Sequence, residues 1–223
     1  MPNLSRSDSG LRFQDYKKSF NFWISNPNIK KIILIENSGY DLKYFSETAK
    51  GSKIEIEIIS NNLNETYNKN LGKGYGQYLC LKEIFDKSLI AKKTDYFIDV
   101  TGRHCIKNFN KIVLDIIKEQ SDIYINLTDK LKFADTNIYG GTKKFFINYF
   151  IPEVSKTNDS RNKIFERCAA DGVLKAISNG MKLSNVPIYA DIDGFIGTNG
   201  KKYKQNIFKK IKLFLFRKIK KLI

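Results

Sequence analysis

Histidine is almost absent from this chain: 223 residues contain one, His104. The three cysteines, Cys80, Cys105 and Cys168, are isolated, odd in number and without metal-ligand spacing. A zinc site needs three or four such ligands, so this inventory argues against one. It argues equally against a disulfide framework, and reduced thiols in a cytosolic protein are the expected state. No run of 18 uncharged apolar residues is present to span a bilayer. The opening MPNLSRSDSG is too polar to read as a signal peptide. Acidic residues are missing altogether from 201–223, which hold ten of the 39 Lys and Arg and none of the 23 acids. Residues 1–200 therefore carry only +6 of the net +16. A nucleic-acid-binding domain more often spreads its charge along a core groove studded with aromatics, so nucleic acid is not an expected partner.

What is present suits one α/β domain, 1–203, followed by a distinct tail, 204–223. Phe13, Tyr16, Phe20 and Trp23 recur at helical spacing and predict a core-facing stripe. Lys30–Glu36 is a continuous apolar run, predicted as a strand buried on both faces, and Lys53–Ser60 predicts a second strand. Tyr75–Lys87 predicts a helix with Leu79, Ile84 and Phe85 inward. After a central strand at Tyr96–Val100, Phe109–Glu119 predicts a helix through Ile112, Val113, Ile116 and Ile117. Asp122–Leu127 reads as a strand, and Phe133–Tyr139 as a short strand running into a Gly140-Gly141 turn. Lys143–Phe150 reads as a helix stopped before Pro152, Lys163–Ser178 as a helix, Pro187–Asp191 as a last strand. Strand and helix alternate from Lys30 to Glu119, which predicts a mostly parallel sheet flanked by helices.

The central strand stops abruptly at Thr101-Gly102-Arg103-His104. Open α/β sheets build ligand crevices at such carboxyl ends. One helix upstream, Gly72-Lys73-Gly74-Tyr75-Gly76 opens a helix whose N–H groups and dipole favour an anion. It lacks the spacing and Lys-Ser/Thr pair of a P-loop.

Several segments carry a resemblance: Arg6-Ser7-Asp8 with Arg12 and Asp15-Tyr16, IENSG at 35–39, and GKGYGQ at 72–77. VTGRH at 100–104, FADTNIYGGTKKFF at 133–146, Phe165-Glu166 and GFIGTNGKKY at 194–203 continue it. In order and spacing they resemble small bacterial GT-A-type glycosyltransferases of surface-polysaccharide gene clusters. The resemblance implies a Rossmann-like, nucleotide-sugar-binding sheet. It also implies sugar transfer from a nucleotide-diphosphate donor to a glycan or lipid-linked acceptor, with inversion. Arg6, Asp8 and Arg12 would flank the base and ribose. Lys73, Gly74, Gly76, Thr101, Gly102 and Arg103 would line the diphosphate. Glu166 would be the base, and Asp135 would contact the sugar or acceptor. Either Asp99 holds Mg2+ or Mn2+ together with the phosphates, or Arg103 and Lys73 replace the metal.

Two departures stand out. The family opens with a central strand before its Arg/Asp-rich loop, and here only Met1–Leu4 and Ser5 precede Arg6. The usual Asp-x-Asp is reduced to Asp99-Val100-Thr101, while a literal Asp191-Ile192-Asp193 follows the wrong strand. Both features favour an alternative, a catalytically inactive module that binds nucleotide or glycan.

The tail predicts a helix over Gln205–Ile223, with Phe208, Ile211, Leu215, Ile219 and Leu222 on one face. Lys209, Lys210, Arg217, Lys220 and Lys221 fall largely elsewhere. That is the pattern of an interfacial helix on anionic lipid, each basic residue contributing ~1 kcal/mol. It predicts a cytoplasmic protein held peripherally on the inner face of the plasma membrane, close to a lipid-linked acceptor. Deleting 204–223 is expected to release the protein from anionic vesicles in a sedimentation assay; unchanged sedimentation defeats the anchor.

Overall fold

A computed structural model describes residues 8–184, 189–196 and 200–203. Arg6, the start of the predicted strand at Pro187 and the whole tail lie outside the described residues. The chain begins with α1 (Ser9–Ile24), capped by Asp8, whose Oδ1 accepts the Leu11 N–H at 2.8 Å. Next come β1 (Lys31–Glu36), α2 (Lys43–Lys50), β2 (Glu55–Ser60), α3 (Lys73–Lys87) and α4 (Leu89–Lys92). The middle of the chain supplies β3 (Tyr96–Val100), β4 (Cys105–Ile106), α5 (Phe109–Glu119), β5 (Ile123–Thr128) and β6 (Phe133–Thr142). The last elements are α6 (Lys143–Phe145), a π-turn at Phe146–Phe150, α7 (Ile151–Val154), α8 (Phe165–Ser178) and β7 (Ile192–Asp193). This is a mixed α/β fold. Among the described residues no helix is long and apolar enough to cross a membrane.

The expected mostly parallel sheet is not what forms. Among the described strands only β1 and β2 form a parallel ladder, from Lys31↔Glu55 to Glu36↔Ser60, with one isolated parallel bridge between Ile123 and Leu183. Strand β6 runs antiparallel to β3 on one edge and to β5 on the other. The cause is local. Strands β5 and β6 are joined by a tight turn in which Asp129, Lys130 and Leu131 all take positive φ. So short a connection can only make an antiparallel hairpin.

Among the described residues no strand bridges β1 and β3, and each keeps one edge without a ladder partner. The consequence shows in burial. Every residue of β3, and all of β1 beyond Lys31, is only half-buried, whereas Ile123, Tyr124 and Ile125 of β5 are buried. The prediction that 30–36 is buried on both faces is thus corrected: an open edge admits water. Helices bind the two sheet pieces together. Helix α1 packs Phe20 edge-on against Phe45 of α2 at 5.2 Å and Trp23 against Phe109 of α5 at 4.9 Å. On α3, Phe85 meets Phe97 of β3 at 5.0 Å.

The main core lies where α8 and the α6–α7 segment cover β6. Tyr139, Phe145, Phe146, Phe150, Phe165, Val154 and Val173 are all buried there. Each such side chain contributes about 2–3 kcal/mol by leaving water. Three expectations fail for reasons of packing. Ile117 turns its side chain to solvent while Ile112 and Ile116 fill the core. On α3 the buried positions are Gly76 and Leu81, with Leu79 and Ile84 half-buried. Pro152 does not stop its helix: the π-turn before it relaxes the hydrogen-bond register, and Pro152 sits in the first turn of α7.

Gly140 and Gly141 are not a turn but the interior of β6. A Cβ on Gly140 would stand 2.5 Å from the Phe97 carbonyl oxygen, and one on Gly141 would stand 2.5 Å from the Phe145 ring. Gly140→Ala is therefore expected to cost about 2 kcal/mol, because backbone cannot yield as a side chain can. Gly51→Ala, which meets nothing nearer than 3.8 Å, is the control. Equal urea midpoints for the two variants would refute the close-approach argument.

Candidate functional site

The site gathers around the carboxyl end of β3. Thr101 closes the turn that follows: its N–H bonds the Asn137 carbonyl at 3.3 Å and its carbonyl accepts from His104 N at 2.8 Å. Gly102 is left at the exposed tip, with the Tyr16 ring of α1 against it. That contact explains why Tyr16 is 38% exposed instead of joining the core stripe. Arg103 follows Gly102 and lies close enough for its charge to act on His104 and Tyr203; Arg12 lies one helical turn before Tyr16 on α1. Their Nε atoms are buried and without hydrogen-bond partners, and neither residue forms an ion pair among the described residues. Two such groups held close to one turn are an anion site in waiting.

His104 is buried at 2% exposure. Two side chains anchor its carbonyl: Ser19 Oγ donates at 2.9 Å and Trp23 Nε1 at 3.1 Å. Burial pushes the imidazole down to about 4, reinforced by Arg103 and opposed by the Phe195 carbonyl and Asp135. His104 is a neutral structural contact at a strand end, as expected from its isolation.

Asp99 and Tyr139 face each other across the β3–β6 ladder. Burial pushes the Asp99 carboxyl up to about 6, against the pull of the Tyr139 hydroxyl. That hydroxyl is itself buried beside Asp99 and Gln77 of α3, without a well-aligned hydrogen bond. Cys80 of α3 reports the same crowding: burial, then the charges of Asp99 and Glu36, raise its thiol to about 12. The groups within reach of the Asp99 carboxyl are thus a phenol and a thiol. Among the described residues no cluster of three or more His, Cys, Asp or Glu is placed to hold a metal ion. This donor set does not fit a carboxylate clamp for Mg2+ or Mn2+, which asks for several oxygen ligands.

The second Asp-x-Asp has another task. Asp193 pairs with Lys18 at 3.0 Å, Lys202 at 3.6 Å and Lys107 at 3.7 Å. The Lys18 hydrogen bond, then the surrounding lysine charges, hold its carboxyl below the usual range. It ties α1, the end of β4 and the 200–203 segment together.

On the opposite wall, the first turn of α3 packs directly on the start of α8. A Cβ at Gly74 would lie 2.6 Å from Phe165 Cβ and 2.9 Å from Thr157 Cγ2, and one at Gly76 would lie 2.7 Å from the Tyr67 hydroxyl. These two glycines permit close packing. Gly72, at φ +87, has the Asp159 carboxylate against it, so the helix start already faces an anion of the chain's own. Lys73 is exposed beside it. One residue beyond Phe165 is Glu166, whose carboxyl is raised by burial and then by the charges of Asp159 and Asp135. A raised carboxyl in a crevice is the condition for proton transfer near neutral pH.

Asp135 stands between the two walls, close enough for its charge to act on Glu166, His104, Tyr189 and Tyr203. Strand β6 leaves β5 after Asp135 and rejoins it at Gly140, an irregularity that frees Asn137 to bond back to Asp135. Of the predicted residues, Arg103 and Asp135 lie close enough for their charges to act on His104 and Tyr203, and Asp135 close enough to act on Glu166; Thr101 and Gly102 form the turn after β3. Asp8 is engaged as the α1 cap. Sequence reasoning missed Asp159, Tyr139, Asn137 and Tyr203. Only the polar insertion Asp135-Thr136-Asn137 in an apolar strand signalled any of them.

His104 and Asp99 predict opposite responses to acid. Below about pH 6.5 the unfolded chain protonates its histidine before the fold does, so stability is lost as pH falls toward 4. Asp99 does the reverse: between about pH 6 and 4 the fold takes the proton first, and stability rises. Each effect is on the order of 2–3 kcal/mol. Asp99→Asn removes the compensation, and its thermal midpoint should drop about 5 °C more than the parent's between pH 6.5 and 4. Parallel curves would show that Asp99 does not titrate there.

Compared with known proteins, the chain matches no family model, and no curated protein matches it.

Proposed function

We propose that this chain is a glycosyltransferase that moves a sugar from a nucleotide-diphosphate donor to a hydroxyl of a glycan or lipid-linked acceptor. The observation that carries the reading is the opposition across one crevice. The half-buried Arg12 and Arg103, whose Nε atoms have no hydrogen-bond partner among the described residues, belong to α1 and the turn after β3, and a carboxyl raised above its ordinary range, Glu166, stands at the start of α8. Departure of a nucleoside diphosphate needs its growing negative charge met, and two guanidinium forks supply that without reorganisation. The acceptor hydroxyl needs a base. Glu166 takes its proton as the acceptor oxygen bonds to the anomeric carbon and the bond from that carbon to the diphosphate breaks. Attack from the face opposite the arginines inverts the anomeric centre. Lys73, exposed at the mouth, adds positive charge for the incoming donor. Asp99 is left to its contact with Tyr139 across the β3–β6 ladder, and charge neutralisation is assigned to arginine rather than to a metal.

Localisation follows the same reading: the basic amphipathic tail brings the enzyme to the inner face of the plasma membrane, where surface polysaccharide is assembled on lipid. A second reading, a binding module without transfer, is favoured by the absence, among the described residues, of a strand joining β1 to β3.

Glu166→Gln should lower transfer 10²- to 10⁴-fold while leaving nucleotide-sugar affinity unchanged. Arg103→Ala should instead weaken donor binding, and Arg103→Lys should restore it only in part, because an ammonium lacks the planar fork. Product formation and equilibrium dialysis of the donor separate the two effects. Full turnover in Glu166→Gln rejects the base assignment. Donor bound by the parent with no transfer to any glycan would select the second reading.

A further inference from the structure

Residues 194–196 and 200–203 pack against His104. Tyr203 N–H bonds the Gly194 carbonyl at 3.0 Å, and Phe195 pairs with Lys202 in an antiparallel bridge. A Cβ on Gly194 would stand 2.7 Å from His104 Cδ2, so the segment lies directly on His104. The Tyr203 ring meets the His104 ring edge-on at 5.2 Å. Its hydroxyl then reaches past His104 and donates to Asn137 Oδ1 at 2.7 Å. Asn137 turns the other end of its amide to Asp135: Nδ2 donates to Oδ1 at 2.7 Å and the backbone N–H donates to the same oxygen at 3.2 Å. Every hydrogen bond that Asp135 makes to a described residue falls on Oδ1. Oδ2 remains as a hydrogen-bond acceptor with its direction fixed.

We propose that Tyr203 and Asn137 are positioning residues, a relay that fixes the Asp135 carboxylate so that Oδ2 receives a hydroxyl of the acceptor sugar. The inference rests on the transferase reading for the identity of the ligand, but not for the relay itself. The chemistry is that of polyol recognition: a carboxylate with one oxygen tied down discriminates hydroxyl direction, because its second oxygen cannot swing to follow a misplaced donor. The amide orientation is the one that both bonds require, since the Tyr203 hydroxyl must donate to the side-chain oxygen if the side-chain nitrogen is to donate to Asp135. The irregularity in β6 between Asp135 and Gly140 makes the relay possible, and bulges serve this re-aiming of side chains near sites. The bland account is that Tyr203 only packs on His104. That account gives its ring a role and its hydroxyl none.

The two accounts part on Tyr203→Phe, which keeps the ring on His104 and removes the hydroxyl. The first measurement needs no activity: the side-chain carboxyl carbon resonance of Asp135, followed by NMR and identified through its disappearance in Asp135→Asn. The relay predicts that this resonance moves in Tyr203→Phe and moves further in Asn137→Ala. The thermal midpoint of Tyr203→Phe should stay within a few degrees of the parent. An unmoved resonance overturns the relay. The second measurement is transfer. In Tyr203→Phe the acceptor KM should rise roughly tenfold, about one net hydrogen bond, with donor KM unchanged. Equal losses for donor and acceptor, or none, overturn the assignment to the acceptor. Should the parent transfer no sugar while the resonance still moves, the relay stands and the transferase reading falls.

Discussion

One strand has to satisfy two ladders at once. β6 runs between β3 and β5, antiparallel to both, and it cannot remain in register with each along its whole length. At Gly140 and Gly141 it pairs with both β3 and β5, near Phe133 with β5 alone, and the register shift against β5 falls between Asp135 and Gly140. At the close-packed end only glycine fits, because the Phe97 carbonyl and the Phe145 ring occupy the space a Cβ would take. At the loose end, Asp135 and Asn137 escape the alternation and turn to each other. The core and the crevice are therefore two ends of the same strand problem. A fold that packed β6 flat would have no reason to present a carboxylate there.

Charge is sorted by the same geometry. The Arg12 and Arg103 guanidinium groups belong to α1 and to the turn after β3, and the carboxylates of Asp135, Asp159 and Glu166 to β6 and the α8 side. If arginines and carboxylates met directly, they would neutralise one another as ordinary ion pairs and the crevice would be inert. Asp193 shows that alternative a short way off, with three lysines gathered on one carboxylate and nothing left over for a ligand. In the crevice, His104 helps keep the two sets apart. Burial lowers its pKa, so it lies within reach of both Arg103 and Asp135 without adding charge to either.

The sequence disclosed the elements far better than their directions. Continuous apolar runs placed β1, β3 and β5 within a residue or so, since burial of Ile and Val in a strand depends on little else. The pairing of β6 was hidden because Gly140-Gly141 obeys the local rule for a turn, and what overrides the rule is contact with residues some forty positions away, at Phe97. Pro152 misled in the same way, since the π-turn that accommodates it is visible only in the backbone. For the site, Arg103 and Glu166 were legible as polar residues at element ends. Asp159 and Tyr203 were not. Their roles come from being folded against Gly72 and Asn137, and no spacing announces that.

The open edges of β1 and β3 bear directly on how the crevice works. Two guanidinium groups develop their full effect on a diphosphate only if water is kept from competing. β1 and β3 carry apolar runs fit for a sheet interior, yet they stay half-buried along their facing edges. Cys80 of α3 lies within reach of the charges of both Asp99 on β3 and Glu36 on β1. On the transferase reading, a diphosphate at the end of β3 is held more tightly the more completely water is excluded from the arginines.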